Sequence, residues 1–335
     1  MANPIRVIQY GLGPIGNRIT RYLCERAASF RIVGAIDIDP EKVSRDVGEL
    51  AGLSPIGVAV SADADAVLEQ EADVVVLTTT SSLEQAKAQI LQIVSHGLPV
   101  VSTCEELSYP WRTQRAIAEE IDRTARDRGV AVLGTGVNPG FLMDLLPIVF
   151  TGICQDVRSI LVERFQDAQF RRLPFQRKIG AGLTVEQFQQ KVREGTLRHV
   201  GLTESMQMIA SRMGWELERT EDIIEPVVAS ERVVAGELVI EPGNCLGVNQ
   251  TGHGYRDGRE VITLRFRATI GEPEPRDRIR IEGTPVIDSV IPGGVNGDIA
   301  TCAITVNALP VVMRTRPGLR TMADIEPVAF FEALP

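Results

Sequence analysis

Two adjacent carboxylates, Glu105 and Glu106, stand directly after an apolar run that is typical of a buried strand. Carboxylates in a partly dry site attract cations and can accept or donate a proton. Such a pair suits an amine or an iminium better than an alcohol or a ketone, because it attracts the cationic nitrogen and can orient the water that hydrolyses an imine. The alternative interpretation is that the pair only caps, at the surface, the helix predicted over 112–128.

A glycine motif near the start of the chain indicates a second activity, the binding of a dinucleotide. A short apolar run around Val7 and Ile8 leads into Gly11-x-Gly13-x-x-Gly16, and helical periodicity follows. In this strand–turn–helix context the first glycine permits the tight turn, the second admits a pyrophosphate and the third lets the helix approach the strand. We therefore expect cofactor contacts from all six residues of the turn, Gly11, Leu12, Gly13, Pro14, Ile15 and Gly16. A glycine-rich turn without a ligand is the alternative.

Asp37 ends the second predicted strand, 21 residues after Gly16. This spacing places a carboxylate near the adenosine ribose hydroxyls and favours NAD over NADP, because a 2′-phosphate would be repelled. Lys42 and Arg45 follow closely, however, and either cation can neutralise a 2′-phosphate, so NAD and NADP both stay open. A turn or helix-capping aspartate is the alternative for Asp37.

Further polar residues follow the strands predicted over 73–80, 98–103 and 129–134. In a parallel sheet these strand ends share one edge, where ligands bind. We expect Thr79, Thr80, Cys104 and Asn138 to contact the cofactor there. Capping of the next helix is an equal alternative for the threonine hydroxyls.

The pattern of predicted elements specifies how these residues are positioned. Strands and helices alternate six times over residues 1–140, which predicts a Rossmann-type doubly wound parallel sheet. Longer strands of alternating polarity, for example over 158–164 and 260–269, then predict an α+β domain over 141–296 with a mostly antiparallel sheet. We expect residues 297–335 to form a helical segment that packs back on the first domain.

Composition excludes several classes of function. The 335 residues carry a formal net charge of −9 without a basic block, which argues against nucleic acid and anionic membranes as partners. No apolar stretch is long enough to span a membrane, and no signal peptide is evident, so we expect a cytoplasmic protein. The five dispersed cysteines indicate free thiols, and the three histidines form no cluster with them, so no metal site is expected.

The second domain offers candidates for the substrate pocket, chiefly His199 and Lys178, with Tyr109 contributed by the first domain. A lone histidine is more often structural, and an aromatic residue taken singly more often serves packing. Lys178 ends a basic run with Arg171, Arg172 and Arg177. The run is either a solvated face or a site for a substrate carboxylate, and this choice separates an amino-acid substrate from a plain alkyl amine.

The chain resembles the dihydrodipicolinate-reductase-like group of NAD(P)-dependent enzymes, and within it the 2,4-diaminopentanoate dehydrogenases and native amine dehydrogenases. The resemblance covers nearly the whole chain. Its more specific motifs are Val101-Ser-Thr-Cys-Glu-Glu-Leu-Ser-Tyr-Pro110, Gly134-Thr-Gly-Val-Asn-Pro-Gly-Phe-Leu-Met-Asp144 and Lys178-Ile-Gly-Ala-Gly-Leu183.

The resemblance implies a homodimer and a catalytic glutamate in the loop after the fifth strand, at Glu105 or Glu106. Glu106 is favoured, because similar sugar oxidoreductases carry a catalytic lysine at the second position of this loop. The resemblance also implies that the turn from Asn138 to Phe141 shapes the substrate pocket. True dihydrodipicolinate reductases carry a His-His pair that this sequence lacks, so that activity is not expected.

The expected reaction is oxidative deamination of a primary amine or diamino acid to a carbonyl compound and ammonia, together with the reverse reductive amination. An amino-acid dehydrogenase of the diaminopimelate or aspartate type, or an oxidoreductase of hydroxyl groups, is the alternative enzyme. A cofactor-sensing regulator is the alternative without catalysis.

Overall fold

The computed structural model describes residues 3–169, 171 and 173–332, so Arg172 of the basic run lies outside the described residues. The chain divides into two compact units. The first is formed by the residues up to Phe141 and those from Asn296 onward, and the second is Leu142–Val295. Each unit is described by itself below.

The first unit is built on a parallel sheet, which in the described residues has seven strands in the order β15-β6-β5-β4-β1-β2-β3. The strands are β1 (Ile5–Tyr10), β2 (Phe30–Ile36), β3 (Val60–Ser61), β4 (Val74–Leu77), β5 (Val100–Ser102), β6 (Ala131–Gly134) and β15 (Gly318–Arg320). Every residue of β4, β5 and β6 is buried. An apolar strand without polar alternation is what a parallel sheet covered on both faces requires.

Helices connect these strands as the alternating pattern predicts. They are α1 (Pro14–Glu25), α2 (Val47–Leu50), α3 (Ala64–Leu68), α4 (Leu83–Ser95), α5 (Arg115–Asp127) and α10 (Gly297–Arg314). The predicted Rossmann-type sheet is thereby confirmed. The helix predicted over 112–128 begins later, at Arg115, because residues 110–114 form a turn that the Gln114 N–H closes on the Pro110 carbonyl.

The C-terminal segment contributes more than the predicted helix. Helix α10 packs against α1, and Asn296 caps it by accepting the N–H of Ile299 at 3.1 Å. The chain then adds β15 to the edge of the sheet beside β6. The predicted helical segment thus contains a short strand as well as its helix. A three-residue strand within Pro-Gly-Leu-Arg is too short to show alternation.

The second unit contains a mixed sheet in the order β14-β13-β7-β12-β11-β8, in which only the β7–β12 pair is parallel among the described strands. Its strands are β7 (Asp156–Asp167), β8 (Arg219–Val228), β11 (Cys245–Arg256), β12 (Arg259–Thr269), β13 (Arg276–Thr284) and β14 (Ile287–Pro292); β9 (Val233–Ala235) pairs separately with β10 (Leu238–Ile240). The mostly antiparallel second sheet is thus also confirmed.

Four helices of this unit are described: α6 (Leu145–Thr151), α7 (Leu173–Lys178), α8 (Val185–Arg193) and α9 (Leu202–Arg212). Helix α8 starts with a capping box between Thr184 and Gln187. Met206 of α9 lies against Gly252 and Gly254 of β11, where an added Cβ would come within 2.8 and 2.9 Å of the methionine side chain. These glycines let the helix approach the sheet closely.

Candidate functional site

The polar residues of the first unit meet along the carboxyl edge of its sheet. In the order β2-β1-β4-β5-β6, these strands end at Asp37, the glycine turn, Thr78, the Glu105–Glu106 pair and the turn after Gly134. A dinucleotide lying along this edge would meet the ribose-binding carboxylate first, the phosphate-binding turn next and the glutamate pair last.

The glycine turn has the shape that a pyrophosphate needs. Gly11 has a φ of +92°, and an added Cβ there would lie 2.8 Å from the Thr78 carbonyl oxygen. A Cβ on Gly16 would lie only 2.0 Å from the Gly11 carbonyl oxygen. At Gly13 an added Cβ would meet nothing within 4 Å, and Pro14 begins α1. The turn is therefore closed on its inner side and open where helix N–H groups face out, which fits a bound NAD or NADP phosphate.

Two polar side chains, of Gln9 and Thr78, hold this turn in place. The Gln9 side chain is fully buried, and its Nε2 donates to the Gly11 carbonyl at 2.9 Å and to Thr78 Oγ1 at 2.9 Å. Thr78 Oγ1 donates in turn to the same carbonyl at 2.7 Å. A polar residue within an otherwise apolar strand was the sequence signal for Gln9.

Asp37 is tied to both the glycine turn and its own loop. Its Oδ2 accepts the Leu12 N–H at 2.7 Å and Lys42 Nζ at 3.1 Å, and its Oδ1 accepts the Asp39 N–H at 2.9 Å. Burial favours the neutral acid, but these hydrogen bonds outweigh it and lower the pKa of Asp37. The carboxylate is therefore ionised at neutral pH at the place where a ribose would lie.

Three further residues that were predicted to contact the cofactor lie in the first unit: Arg45, Thr79 and Thr80. Arg45 is exposed, and in the part of the chain that the structure describes its side chain forms no hydrogen bond or ion pair. The hydroxyls of Thr79 and Thr80 donate to Gln89 at 2.6 Å and Gln85 at 2.9 Å, which ties the end of β4 to α4.

Glu106 lies in a short 3₁₀ helix, Glu105–Leu107, that follows β5. Its Oε2 accepts two hydrogen bonds, from the Leu83 N–H at the start of α4 at 2.8 Å and from Gln114 Nε2 at 2.6 Å. A backbone donor at the start of a helix and a side-chain amide thus share one carboxylate oxygen. This capping bond, with the Leu83 N–H, is to α4, whereas the alternative drawn from the sequence was capping of the helix predicted over 112–128. The bond also fixes the orientation of the carboxylate. Gln114 had no distinguishing signal in the sequence.

Glu105 and Cys104 lie in different surroundings from Glu106. The Glu105 carboxylate is half-buried and forms no hydrogen bond or ion pair with the described side chains. The Cys104 thiol is buried, its Sγ donates to the Ser81 carbonyl at 3.3 Å, and burial raises its pKa to about 12. A thiol held in this way is not a nucleophile, and it serves to fix the loop.

The turn after β6 brings Asn138 and Phe141 to the same edge of the first unit. Gly140 has a φ of +121°, and a Cβ there would lie 2.5 Å from the Gly136 nitrogen, so the turn is tightly closed. The Val137 N–H donates to Thr301 Oγ1 of α10 at 3.2 Å. Asn138 and Phe141 are half-buried, as is Tyr109 in the loop after β5.

His199 belongs to the second unit. Its ring stacks on Phe266 at a centroid distance of 4.3 Å, and the Gln250 side chain bonds to its backbone N–H at 2.6 Å and its carbonyl at 3.1 Å. Burial, with the positive charges of Lys178 and Arg164, lowers the pKa of His199 to about 3. The imidazole is therefore neutral near pH 7. Lys178 itself is exposed at the end of α7.

The search for other kinds of site was made over residues 3–169, 171 and 173–332. Within these ranges no group of three or more His, Cys, Asp or Glu side chains is arranged to hold a metal ion. None of the helices described there combines the length and apolar character that a membrane crossing requires.

The comparison with known proteins places the chain among enzymes. Residues 141–333 match the 2,4-diaminopentanoate dehydrogenase C-terminal domain, and residues 5–105 match the dihydrodipicolinate reductase N-terminus. A 2,4-diaminopentanoate dehydrogenase from Acetoanaerobium sticklandii is 37% identical over 96% of this chain and 93% of its own length. The chain belongs to the 2,4-diaminopentanoate dehydrogenase family.

Two more distant relatives are named amine dehydrogenases. An amine dehydrogenase from Streptomyces virginiae is 23% identical over 96% of each chain. The solved amine dehydrogenase from Mycobacterium smegmatis shares the fold, with a TM-score of 0.87, 24% identity and coverage of 99% of each chain. The predicted resemblance, the fold class and the prediction of an NAD(P)-dependent oxidoreductase are thereby confirmed.

Proposed function

We propose that this chain catalyses the NAD(P)-dependent oxidative deamination of a primary amine to a carbonyl compound and ammonia, and the reverse reductive amination. The observation that carries the proposal is the carboxylate of Glu106, fixed by Leu83 and Gln114 at the end of β5, two strands along the sheet edge from the glycine turn. The names of the relatives, which refer to amines and to a diamino acid, support it.

We assign the residues of the first unit to separate tasks. The glycine turn and Asp37 bind the dinucleotide, which when bound accepts a hydride from the α-carbon of the amine. Glu106 stabilises the cationic nitrogen as the iminium forms, and it then accepts a proton from the water that attacks the iminium carbon. It returns this proton to the nitrogen, which leaves as ammonia when the carbonyl forms. Gln9, Thr78 and Gln114 are positioning residues, since they hold the turn and the carboxylate.

Glu105 adds a second negative charge beside Glu106 and makes the loop more attractive to an ammonium group. The buried Cys104 thiol fixes the loop after β5, and the hydroxyls of Thr79 and Thr80 tie the end of β4 to α4. Asn138 contributes to cofactor binding from the neighbouring strand end.

For the substrate we propose a diamino acid. Lys178 and Arg164 both raise the electrostatic potential around the neutral His199. Part of this charge is balanced, because Arg164 pairs with Asp277 at 2.7 Å. The remaining positive potential suits a carboxylate on the substrate.

We further propose a cytoplasmic homodimer. All five cysteines, which lie in the described ranges, are free, as expected in a reducing compartment. On β7, Glu163 carries ion pairs to Arg265, Arg276 and Arg278 on the face opposite the buried Ile160 and Val162. A charged sheet face of this kind suits self-complementary pairing with a second copy. Analytical ultracentrifugation tests this, and a monomer at all concentrations would refute it.

The activity is tested by incubating the purified chain with a panel of primary amines and diamino acids and with NAD or NADP. Formation of the reduced nicotinamide is read by absorbance, and ammonia is measured independently. The proposal predicts stoichiometric formation of both products. Oxidation of alcohols alone would support the hydroxyl oxidoreductase, and cofactor binding without turnover on any amine would support the regulator.

A further inference from the structure

Helix α10 contacts both turns of the dinucleotide site through two consecutive residues. Thr301 Oγ1 accepts the N–H of Val137, in the turn after β6, at 3.2 Å. Cys302 is fully buried, and its Sγ donates to the carbonyl of Ile15, in the glycine turn, at 3.7 Å. One turn of this helix therefore connects the part of the site assigned to the pyrophosphate with the strand end beside the loop after β5.

The turn after β6 has little freedom to move independently of Thr301. Its first residue, Thr135, donates its N–H to the Ser102 carbonyl of β5 at 2.9 Å. A Cβ added to Gly136 would lie 3.0 Å from the Pro139 carbonyl oxygen and 3.7 Å from the Thr301 side chain. The turn is therefore closed on itself and packed against α10, so the bond to Thr301 acts on the whole turn.

Helix α10 is also bonded to the far end of α1. Arg26, at the C-terminal end of α1, donates from Nη1 to Asn307 Oδ1 at 2.7 Å. The bond between Cys302 and Ile15 lies near the N-terminal end of the same helix. Because α10 is tied to α1 near both ends of α1, Thr301 has a fixed position relative to the glycine turn.

We propose that Thr301 is a positioning residue for hydride transfer: its hydroxyl holds the turn after β6 in a fixed position relative to the glycine turn. The turn after β6 carries Asn138, which the proposed function assigns to cofactor binding. Hydride moves only over a narrow range of distances and angles, so a small displacement of this turn slows the step without removing a binding group. The inference rests on the proposed function, to which it adds a residue that acts through the backbone of Val137.

The first measurement needs neither cofactor nor amine. Hydrogen–deuterium exchange of the full chain, read by mass spectrometry, reports how often the backbone of residues 135–141 opens. Thr301→Val keeps the shape of the side chain but removes the acceptor, and we expect exchange in this segment to become about tenfold faster. Thr301→Ser, which keeps the hydroxyl, is expected to exchange as slowly as the unmodified chain.

The second measurement follows a single turnover with an amine that the unmodified chain oxidises. We expect Thr301→Val to form reduced nicotinamide about tenfold more slowly, while the Kd for NADH or NADPH, whichever binds more tightly, changes by less than about threefold. Thr301→Ser is expected to retain the rate, and Thr301→Ala to be as slow as Thr301→Val. Thr305→Val is the matched control, because the Thr305 hydroxyl donates to the Thr301 carbonyl within α10, at 2.7 Å.

Unchanged exchange or an unchanged single-turnover rate in Thr301→Val and Thr301→Ala would overturn the inference. An equal effect of Thr305→Val would also overturn it, because the loss would then come from the helix and not from the bond to Val137. If the unmodified chain oxidised no amine, the proposed function would fail, and the role in hydride transfer with it. Turnover by the unmodified chain at the same rate as by Thr301→Val would refute the role of Thr301 only.

Discussion

Gln114 holds Glu106: the Nε2 of Gln114 donates to Glu106 Oε2 over 2.6 Å. The Leu83 N–H donates to the same oxygen over 2.8 Å, so this carboxylate oxygen is fixed from the start of α4 and from the turn before α5. A reacting carboxylate is effective only when its orientation is set before the substrate arrives. These two hydrogen bonds distinguish Glu106 from Glu105, whose carboxylate forms no hydrogen bond or ion pair with the described side chains.

The first prediction concerns this positioning. Gln114→Leu removes the amide donor but leaves the carboxylate itself, so we expect kcat for amine oxidation to fall about tenfold while the KM for the cofactor stays unchanged. Steady-state kinetics with both substrates varied measures the two constants. Gln92→Leu is the control, since Gln92 donates to the exposed Asp65. An unchanged kcat in Gln114→Leu would show that the hydrogen bond does not position Glu106.

The second prediction separates two glycines of the same turn. Gly16→Ala forces a Cβ to within 2.0 Å of the Gly11 carbonyl oxygen, so we expect the free energy of unfolding to fall by about 2–4 kcal/mol. Gly13→Ala places its Cβ in open space, so we expect a change below about 1 kcal/mol, with weaker binding of NADH. Urea unfolding and NADH titration measure these effects. Equal stability of the two variants would contradict the described turn.

The third prediction concerns pH. The pKa of His199 is about 3 in the folded chain and 6.5 as the ordinary value, so the unfolded chain binds more protons between these limits. The stability contributed by the neutral ring is complete above about pH 6.5 and declines below it by up to about 1.4 kcal/mol per pH unit. Urea unfolding at a series of pH values measures the decline. His199→Gln is expected to reduce its slope, while the control His253→Gln is expected to leave the slope unchanged. If the free energy of unfolding of His199→Gln fell with decreasing pH as steeply as that of the unmodified chain, the lowered pKa of His199 would be refuted.

The sequence predicted those parts of the first unit whose signals are local. Gly11 and Gly16 occupy positions that a Cβ would obstruct, and Gly13 keeps the outer side of the turn open. The apolar run of β4 reflects a strand covered on both faces. The apolar run over 98–103 likewise predicted that a strand ends just before Glu105. These features depend on residues that are neighbours in the sequence, so local sequence patterns predict them.

The remaining features depend on partners far along the chain. Gln9 and Thr78 are 69 residues apart and meet only when β1 and β4 pair, and Gln114 reaches Glu106 only through the turn before α5. In β11, the glycines that accommodate Met206 of α9 weaken the strand pattern of the sequence. The contacts that explain these residues join segments that are distant in the sequence, so no local pattern predicts them.

The most direct test of the central proposal compares Glu106→Gln with Glu105→Gln in amine oxidation, with reduced nicotinamide and ammonia both measured. Each substitution removes one negative charge from the same loop and keeps the shape of the side chain. We predict that Glu106→Gln lowers kcat about 100-fold or more, while Glu105→Gln retains kcat within about fivefold and both still bind NADH. Full turnover of amines by both variants would contradict the proposal that this carboxylate pair carries the chemistry.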